Sequence, residues 1–299
     1  MESGTANLLD MMLDRVRQLT EEKKWDDAMR AADAAVEKAR LSIEDDLDSI
    51  QGLASALETK ADLLRQLGYL EDARLIYLES LELLNGRNEC TEQLARISAS
   101  VGVLYDTVEN DEEAIRFYER AIELYERLDP PSLLNIADIC NNLGFIYRSL
   151  GDFQNSEKLF LHGLEICHKV LGDEHEKTAT ICNNIGALYL KSGYDSQALE
   201  MNTIALENRI KIHGENHPDS AQSHANLALS LAQVGQLKES RKHFESAVSI
   251  YERFLKSESH EYAAVVENYI EVLKVIGEDK EASALLRKAT KKLKKVAHH

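Results

Sequence analysis

Small residues recur along the chain at helical spacing and with a long, nearly fixed period. One column consists of Ala28, Ala73, Ala114, Ser156, Ala198, Ser240 and Ala282, and its last five members follow one another at intervals of 42 residues. A second column, seven residues later, consists of Ala35, Ser80, Ala121, Gly163, Ala205, Ala247 and Ala289. Positions seven apart lie on one face of a helix, so both columns mark where a neighbouring helix comes close. The pattern predicts a helix in each of seven segments.

Another helix is predicted in front of each of these segments. Gly68, Gly151, Gly193, Gly235 and Gly277 stand five residues before the first small column, and Lys23 and Glu109 take this position in the other two segments. Glycine just past a helical pattern ends the helix, because it adopts the left-handed conformation without strain at Cβ. A large residue such as Tyr147 lies four positions before the glycine, and a small one such as Gly144 lies seven before it. Each segment is therefore predicted to be a helical hairpin.

The hairpins have nearly identical sequences because each one packs against an equivalent neighbouring hairpin. The stretch "ICNNLGFIYRSLG" at residues 139–151 returns as "ICNNIGALYLKSG" at residues 181–193. A two-helix unit cannot bury its apolar stripes alone, so successive units stack into a solenoid. We predict an all-α fold of about seven helix-turn-helix repeats, with a 42-residue period in the C-terminal repeats. Residues 1–299 are predicted to form a single solenoid, with degenerate repeats at 1–95, regular repeats at 96–277 and a basic capping helix at 278–299.

The small, large and small columns with a turn glycine resemble the tetratricopeptide repeat over nearly the whole chain. The links "KVLGDEHEKTA" at residues 169–179 and "KIHGENHPDSA" at 211–221, with the N-N-x-G-x-x-Y segment, are similar to kinesin light chain repeats, including the bacterial kinesin light chains that accompany bacterial tubulin. The resemblance implies a right-handed superhelical solenoid and a non-catalytic adaptor whose partner is a tubulin-like cytoskeletal filament. The heptads of a kinesin light chain coiled coil are absent, which disfavours a kinesin motor as partner.

A polar column on the first helix is the candidate partner-binding site. It reads Asp14, Thr59, Ser100, Asn142, Asn184, Asn226 and Asn268. An amide offers a donor and an acceptor, which suits the backbone of an extended peptide. The kinesin light chain resemblance implies a cargo-peptide ladder at Asn142, Asn184, Asn226 and Asn268, and we expect Phe145, Arg148 and Lys191 to face the same groove. In the alternative interpretation, the asparagines bond to neighbouring protein groups and only keep this face hydrated.

Composition and charge narrow the range of partners. The chain has 44% hydrophobic and 29% charged residues, which is typical of a folded soluble protein, and its net charge of −17 disfavours nucleic acid. The first residues lack a basic region followed by an unbroken apolar run, so a cytoplasmic protein is expected. Monomer or weak oligomer is the expected state.

The end of the chain departs from this acidity. Its last thirteen residues contain Arg287, Lys288, Lys291, Lys292, Lys294 and Lys295 and no carboxylate side chain. A soluble polar cap is the first interpretation, because the terminal hairpin needs one polar face. The alternative is a docking site for an acidic filament surface or for anionic lipid, which would make the protein a membrane-tethering adaptor.

No feature of the sequence indicates catalysis, a cofactor or a metal. Nucleotide-binding, hydrolase and metalloprotease motifs are absent from the sequence. His213 and His217 have metal-ligand spacing, but His217 repeats His175 at the period of 42, which favours a structural role. Cys140 and Cys182 are repeat equivalents at apolar positions and are interpreted as buried thiols. A regulatory peptide receptor, in which a short peptide fills the groove, is the alternative to the adaptor.

Overall fold

The computed structural model describes residues 2–297, with side chains from residue 8 to residue 296, and most of this range is helical. The helices are α1 (Glu2–Glu21), α2 (Trp25–Leu41), α3 (Leu47–Gln66), α4 (Leu70–Leu84), α5 (Thr91–Thr107), α6 (Asp111–Glu126), α7 (Leu133–Ser149), α8 (Phe153–Leu171), α9 (Glu176–Ser192), α10 (Asp195–His213), α11 (Pro218–Gln233), α12 (Leu237–Tyr251), α13 (Ser259–Val275) and α14 (Asp279–Ala297). A 3-10 helix at Asn88–Cys90 precedes α5. Residues 2–297 contain no strand, and their helices form seven successive pairs, which confirms the predicted all-α repeat fold.

The first small column lies where the two helices of a pair meet. Ala28, Ala73, Ala114, Ser156, Ala198 and Ser240 have no exposed surface. The hydroxyl of Ser156 donates to the backbone carbonyl of Gly144 at 2.8 Å, and that of Ser240 donates to the carbonyl of Ala228 at 2.7 Å. The side chain at this column therefore touches the backbone of the facing helix. Only a small residue fits, as the sequence pattern predicts.

The predicted turn positions share one backbone conformation. Their φ angles are 83° at Gly68, 79° at Gly151, 79° at Gly193, 77° at Gly235 and 84° at Gly277. Lys23 and Glu109, which replace glycine, also have positive φ, at 56° and 57°. The left-handed conformation costs a non-glycine residue about 1 to 2 kcal/mol. The hairpin geometry is thus retained in the two repeats that lack the glycine.

A second close approach occurs at a glycine column in the first helices. A Cβ atom would lie 2.7 Å from Tyr118 at Gly102, 2.6 Å from Phe160 at Gly144 and 2.2 Å from Asn202 at Gly186. In the fifth pair the facing residue is thus an amide instead of an aromatic ring. Asn202 is fully buried, and its Nδ2 donates to Ser230 Oγ at 2.8 Å. Glycine is required here because the opposing side chain occupies the space of a Cβ atom.

The chain divides by its internal contacts into two compact units, Met1–Ile139 and Cys140–His299. The core of the first unit contains the fully buried side chains of Tyr77 and Ile97. That of the second contains the rings of Phe244 and Tyr262, with Phe244 stacked on Tyr269 at 5.4 Å between ring centroids. Each unit therefore has its own apolar core between helices.

All four cysteines are buried, as expected for Cys140 and Cys182. Burial raises the pKa of the Cys182 thiol to about 11. A thiol with this pKa is protonated at neutral pH and is a weak nucleophile. Within the described residues, no helix combines the length and the apolar character that crossing a membrane requires.

Candidate functional site

The four asparagines of the predicted ladder lie on the first helices of consecutive pairs. Asn142 is on α7, Asn184 on α9, Asn226 on α11 and Asn268 on α13. The first three are half-buried, whereas Asn268 is exposed. We call the surface formed by the odd-numbered helices of a unit its A face. The ladder belongs to the A face of the second unit, and its members lie on alternate helices, as the sequence pattern predicts.

Asn184 uses part of its hydrogen-bonding capacity inside the protein. Its Nδ2 donates to Oδ1 of Asn141 on α7 at 2.8 Å. The neighbouring Asn183 is buried, with its side chain 4% exposed, and its Oδ1 lacks a hydrogen-bond partner among the described residues. The amide of Asn184 therefore links two first helices, which supports a structural contribution at this position. Its carbonyl oxygen is the group left to accept a bond from a partner.

Asn226 differs from Asn184, because its backbone carbonyl forms hydrogen bonds and its side chain forms none within the described residues. The carbonyl oxygen of Asn226 accepts from Ser230 Oγ at 3.2 Å and from Asn202 Nδ2 at 3.4 Å. Across the described part of the chain, no hydrogen bond of its side-chain amide is found. A half-buried amide with both donor and acceptor available is the group that a peptide backbone would bind. Asn226 is thus the ladder member best suited to recognition.

Phe145, Arg148 and Lys191 are held by aromatic contacts. The Arg148 guanidinium carbon lies 4.8 Å from the centroid of the Phe145 ring, which packs edge-on against Phe160. Lys191 Nζ lies 5.9 Å from the Phe153 ring and is exposed. Burial lowers the pKa of Arg148 below its ordinary value. Stacking on Phe145 fixes the direction of the guanidinium, so Arg148 presents a preoriented cation.

A cavity of the first unit lies on the A face of that unit. It has a volume of about 620 Å³ and is lined by α1, α3 and α5. Its lining residues are Val16, Arg17, Thr20, Glu21, Ser55, Glu58, Thr59, Asp62, Leu63, Arg65, Gln66 and Arg96. Three arginines and three carboxylates thus surround one space. A cavity of this size and polarity suits a short extended segment that carries charged side chains.

An ionic network forms one wall of this cavity. Arg96 donates two hydrogen bonds to Glu58, at 2.6 and 2.7 Å, and Glu58 is buried. Burial raises the pKa of the Glu58 carboxyl, and the hydrogen bonds from Arg96 oppose this shift. Asp62 accepts a hydrogen bond from Tyr77 and lies 3.7 Å from Arg65. Ion pairs thus engage all three arginines, and Arg17, which pairs with Asp14 at 2.7 Å, is the most exposed of them.

The sequence columns do not reveal this cluster. Arg17, Arg65 and Arg96 occupy three different positions of the repeat. Arg65 shares its column with Arg148 and Lys274, whereas Arg17 and Arg96 have no basic counterpart in the other repeats. They meet only because α1, α3 and α5 stack side by side. A search for periodic basic residues could have found only Arg65, whereas a search for charges on consecutive first helices could have found all three.

The six cations of the terminal helix divide into two groups. Lys288 and Lys292 contact Glu252 at the end of α12, with distances of 2.9 and 2.7 Å to its carboxylate oxygens. Arg287, Lys291, Lys294 and Lys295 are exposed. The first group fastens α14 to the preceding pair, as a terminal cap requires. The second group forms the basic surface that is available to a partner.

A histidine pair between α11 and α12 should make the stability of the protein depend on pH. His224 Nδ1 lies 2.8 Å from His243 Nδ1, and burial together with His243 lowers the pKa of His224 to about 4. Burial also lowers the pKa of His243. The unfolded chain takes up protons near pH 6.5 that the folded pair does not. We expect urea denaturation to show a loss of about 1 to 2 kcal/mol between pH 7 and pH 4, after allowance for partial exposure.

The chain offers its own control for this pH dependence. The equivalent positions one repeat earlier are Cys182 and Met201. The double variant His224→Cys/His243→Met therefore copies residues that already fit this environment. It should lose the component that titrates between pH 6.5 and pH 4, while the contribution of the carboxylates stays. An unchanged pH profile would assign the acid sensitivity to other groups.

Family models described as tetratricopeptide repeat match the chain at residues 135–211 and 196–253 and at residues 99–132. Together these matches cover more than half of the sequence. No curated protein matches the chain.

Solved structures show the same architecture. BtubC (BKLC) from P. vanneervenii is 26% identical, with a TM-score of 0.68, over 76% of this chain and 91% of that chain. A protein from Podospora anserina that is designated a kinesin light chain, with nearly identical repeats, is 21% identical, with a TM-score of 0.57, over 69% of this chain and 97% of that chain. A Rap protein in complex with competence and sporulation factor is 16% identical, with a TM-score of 0.61, over 98% of this chain and 78% of that chain. The last two likenesses show the fold alone.

Proposed function

Because the chain belongs to the tetratricopeptide repeat family and is of the kinesin light chain type, we propose that it is a non-catalytic adaptor that binds a protein partner on the A face. We further propose that the partner is a tubulin-like cytoskeletal filament and that the protein acts in the cytoplasm. Tetratricopeptide repeats are generally protein-interaction scaffolds, and extended surfaces of this kind are what solenoids offer to partners.

The observation that carries the proposal is the chemistry of the A face. In the second unit it presents Asn226 and Asn268, whose amides can bind the backbone of an extended segment. In the first unit it presents a cavity of about 620 Å³ with arginines and carboxylates. The A face of the second unit can thus bind a backbone, and that of the first unit can bind charged side chains. The likeness to BtubC (BKLC) supports a filament of the tubulin type as partner.

A second candidate function is a regulatory peptide receptor. The observation that favours it is the charged cavity of the first unit, whose volume suits a short segment better than a filament surface. The similarly folded Rap protein was solved in complex with competence and sporulation factor. In this case a free peptide would bind without any filament, and binding would depend on residues of the cavity.

Co-sedimentation with polymerised bacterial tubulin tests the adaptor. We expect the protein to pellet with the filaments at low and moderate salt. Asn226→Arg should weaken pelleting at least about tenfold, because the long side chain covers the ladder. Thr59→Arg places a long side chain in the cavity of the first unit, so its pelleting shows whether that unit contributes to filament binding. Gln197→Arg is the matched control, since Gln197 is exposed on the second helix α10.

The outcomes separate the candidate surfaces. Loss of pelleting in Asn226→Arg with wild-type behaviour of Gln197→Arg supports the A face. Retained pelleting of both, with loss when Lys291, Lys294 and Lys295 are changed to glutamate, assigns binding to the basic end of α14. Absence of pelleting at every salt concentration contradicts the filament as partner. Tight binding of an isolated peptide that Thr59→Arg abolishes would then favour the receptor.

A further inference from the structure

Three metal-ligating side chains meet in the link between α10 and α11. His213 is the last residue of α10, His217 caps the start of α11, and Asp219 lies in the first turn of α11. One ligand atom from each of them lies within 4.8 Å of the others. The three residues are partly exposed, so an ion can reach them from solvent. The link therefore contains the beginnings of a coordination site.

The repeat period explains only one of these residues. His217 corresponds to His175 in the preceding link, and both Nδ1 atoms accept a backbone N–H two residues on, at 3.3 and 3.1 Å. His213 corresponds instead to Leu171, and Asp219 corresponds to Lys177. The preceding link is thus built on the same backbone pattern without the other two ligands. His213 and Asp219 need an explanation that the repeat does not give.

The geometry around His217 favours a cation. Nδ1 of His217 accepts the backbone N–H of Asp219 at 3.3 Å, and an ion at this nitrogen would replace that hydrogen bond. Asp219 Oδ2 lies 3.2 Å from the same nitrogen, so both ligand atoms can reach one ion. The distance from Asp219 Oδ2 to His213 Nε2 is 3.8 Å. Ligands bonded to one tetrahedral zinc ion at 2.0 to 2.1 Å are about 3.3 Å apart, which lies within this range.

A second carboxylate contacts one member of this cluster. Glu176 at the start of α9 places Oε2 2.8 Å from His213 Nε2. Its other oxygen lies 3.4 Å from the buried guanidinium of Arg209, which opposes a second positive charge. The carboxylates of Glu176 and Asp219 outnumber the guanidinium of Arg209, so these three groups have a net negative charge before an ion binds. The imidazole rings of His213 and His217 stack at 4.4 Å, and they must tilt for both lone pairs to converge on one ion.

We propose that His213, His217 and Asp219, with Glu176 at the fourth position, bind a divalent transition metal ion of the zinc class. Imidazole nitrogen and carboxylate oxygen are the ligand types that suit this class. The ion would join the start of α9, the end of α10 and the start of α11, so it would connect two consecutive repeats. This site is independent of partner binding on the A face.

Calorimetric titration of the full chain with Zn²⁺ tests the site, with Co²⁺ absorption in the visible region as a second readout of coordination. His298 and His299 are changed to alanine in every sample, so that this terminal pair cannot contribute. His213→Leu and Asp219→Lys copy the preceding link and should preserve folding. We expect each to weaken binding at least about tenfold and to remove the Co²⁺ absorption. His175→Ala should leave binding unchanged.

Metal should also raise the melting temperature of the parent chain and not that of His213→Leu, because only the folded parent binds the ion. Equal affinities of the parent and both variants would overturn the proposal. So would the absence of binding at about 100 µM Zn²⁺ by a folded parent chain.

Discussion

A chain carrying Gly144→Val should lose at least about 3 kcal/mol of unfolding free energy, measured by urea denaturation followed by circular dichroism. A Cβ atom at residue 144 would lie 2.6 to 2.8 Å from three ring carbons of Phe160. That ring is fully buried and packs edge-on against Phe145, so it has no free space to move into. The two helices must separate, and the core around Phe160 loses its close packing.

The equivalent positions of other repeats provide controls for the Gly144→Val variant. Ala61 and Ala228 occupy the same column, so an alanine there is compatible with the hairpin. Gly144→Ala should therefore cost less than the valine variant, because the gain in helix propensity of about 1 kcal/mol offsets part of the overlap. Lys158→Val places the same residue on an exposed face of α8 and should change stability by no more than about 0.5 kcal/mol. Wild-type stability of Gly144→Val would contradict this close approach of α7 and α8.

The fold could be predicted because its determinants are local and periodic. A small column, a turn position and a spacing of 42 residues each appear in the sequence several times, so one irregular copy does not hide the pattern. Lys23 and Glu109 illustrate this, since both adopt the left-handed turn without being glycine. Packing against neighbouring hairpins maintains the turn at Lys23 and Glu109, and the conformational cost at these two positions is too small to change the fold.

The candidate sites were less accessible to sequence reasoning, because they depend on side-chain directions and on residues that depart from the period. The column placed Asn184 correctly on α9 but could not show that its amide bonds to Asn141. Arg65 and Arg96 come from different repeat positions and meet only through the stacking of α3 and α5. The departures themselves are visible in the sequence, as with Asn202 in a column of aromatic residues. Their partners become visible only in three dimensions.

Among the residues that differ from their equivalents in other repeats, Arg209 differs most. Arg209→Met should lower the free energy of unfolding by about 3 kcal/mol. The equivalent positions in the neighbouring repeats are Cys167 and Tyr251, both buried. The Arg209 side chain is 4% exposed. It donates to the carbonyl of Asp219 at 3.0 Å, to Gln222 Oε1 at 2.8 Å, to Ser223 Oγ at 3.3 Å and to Thr180 Oγ1 at 3.2 Å.

These bonds tie α10 to the first helix of its own pair and to that of the next pair. Methionine fills a similar volume but leaves the acceptors of α9 and α11 without their donor, and the carboxylate of Glu176 without its cation at 3.4 Å. Arg253→Met is the matched control, because Arg253 is exposed and donates to Asn216 at 2.7 Å. It should cost no more than about 0.5 kcal/mol in the same urea denaturation experiment. Equal effects of the two substitutions would show that the buried guanidinium does not join consecutive repeats, and that apolar packing alone holds them together.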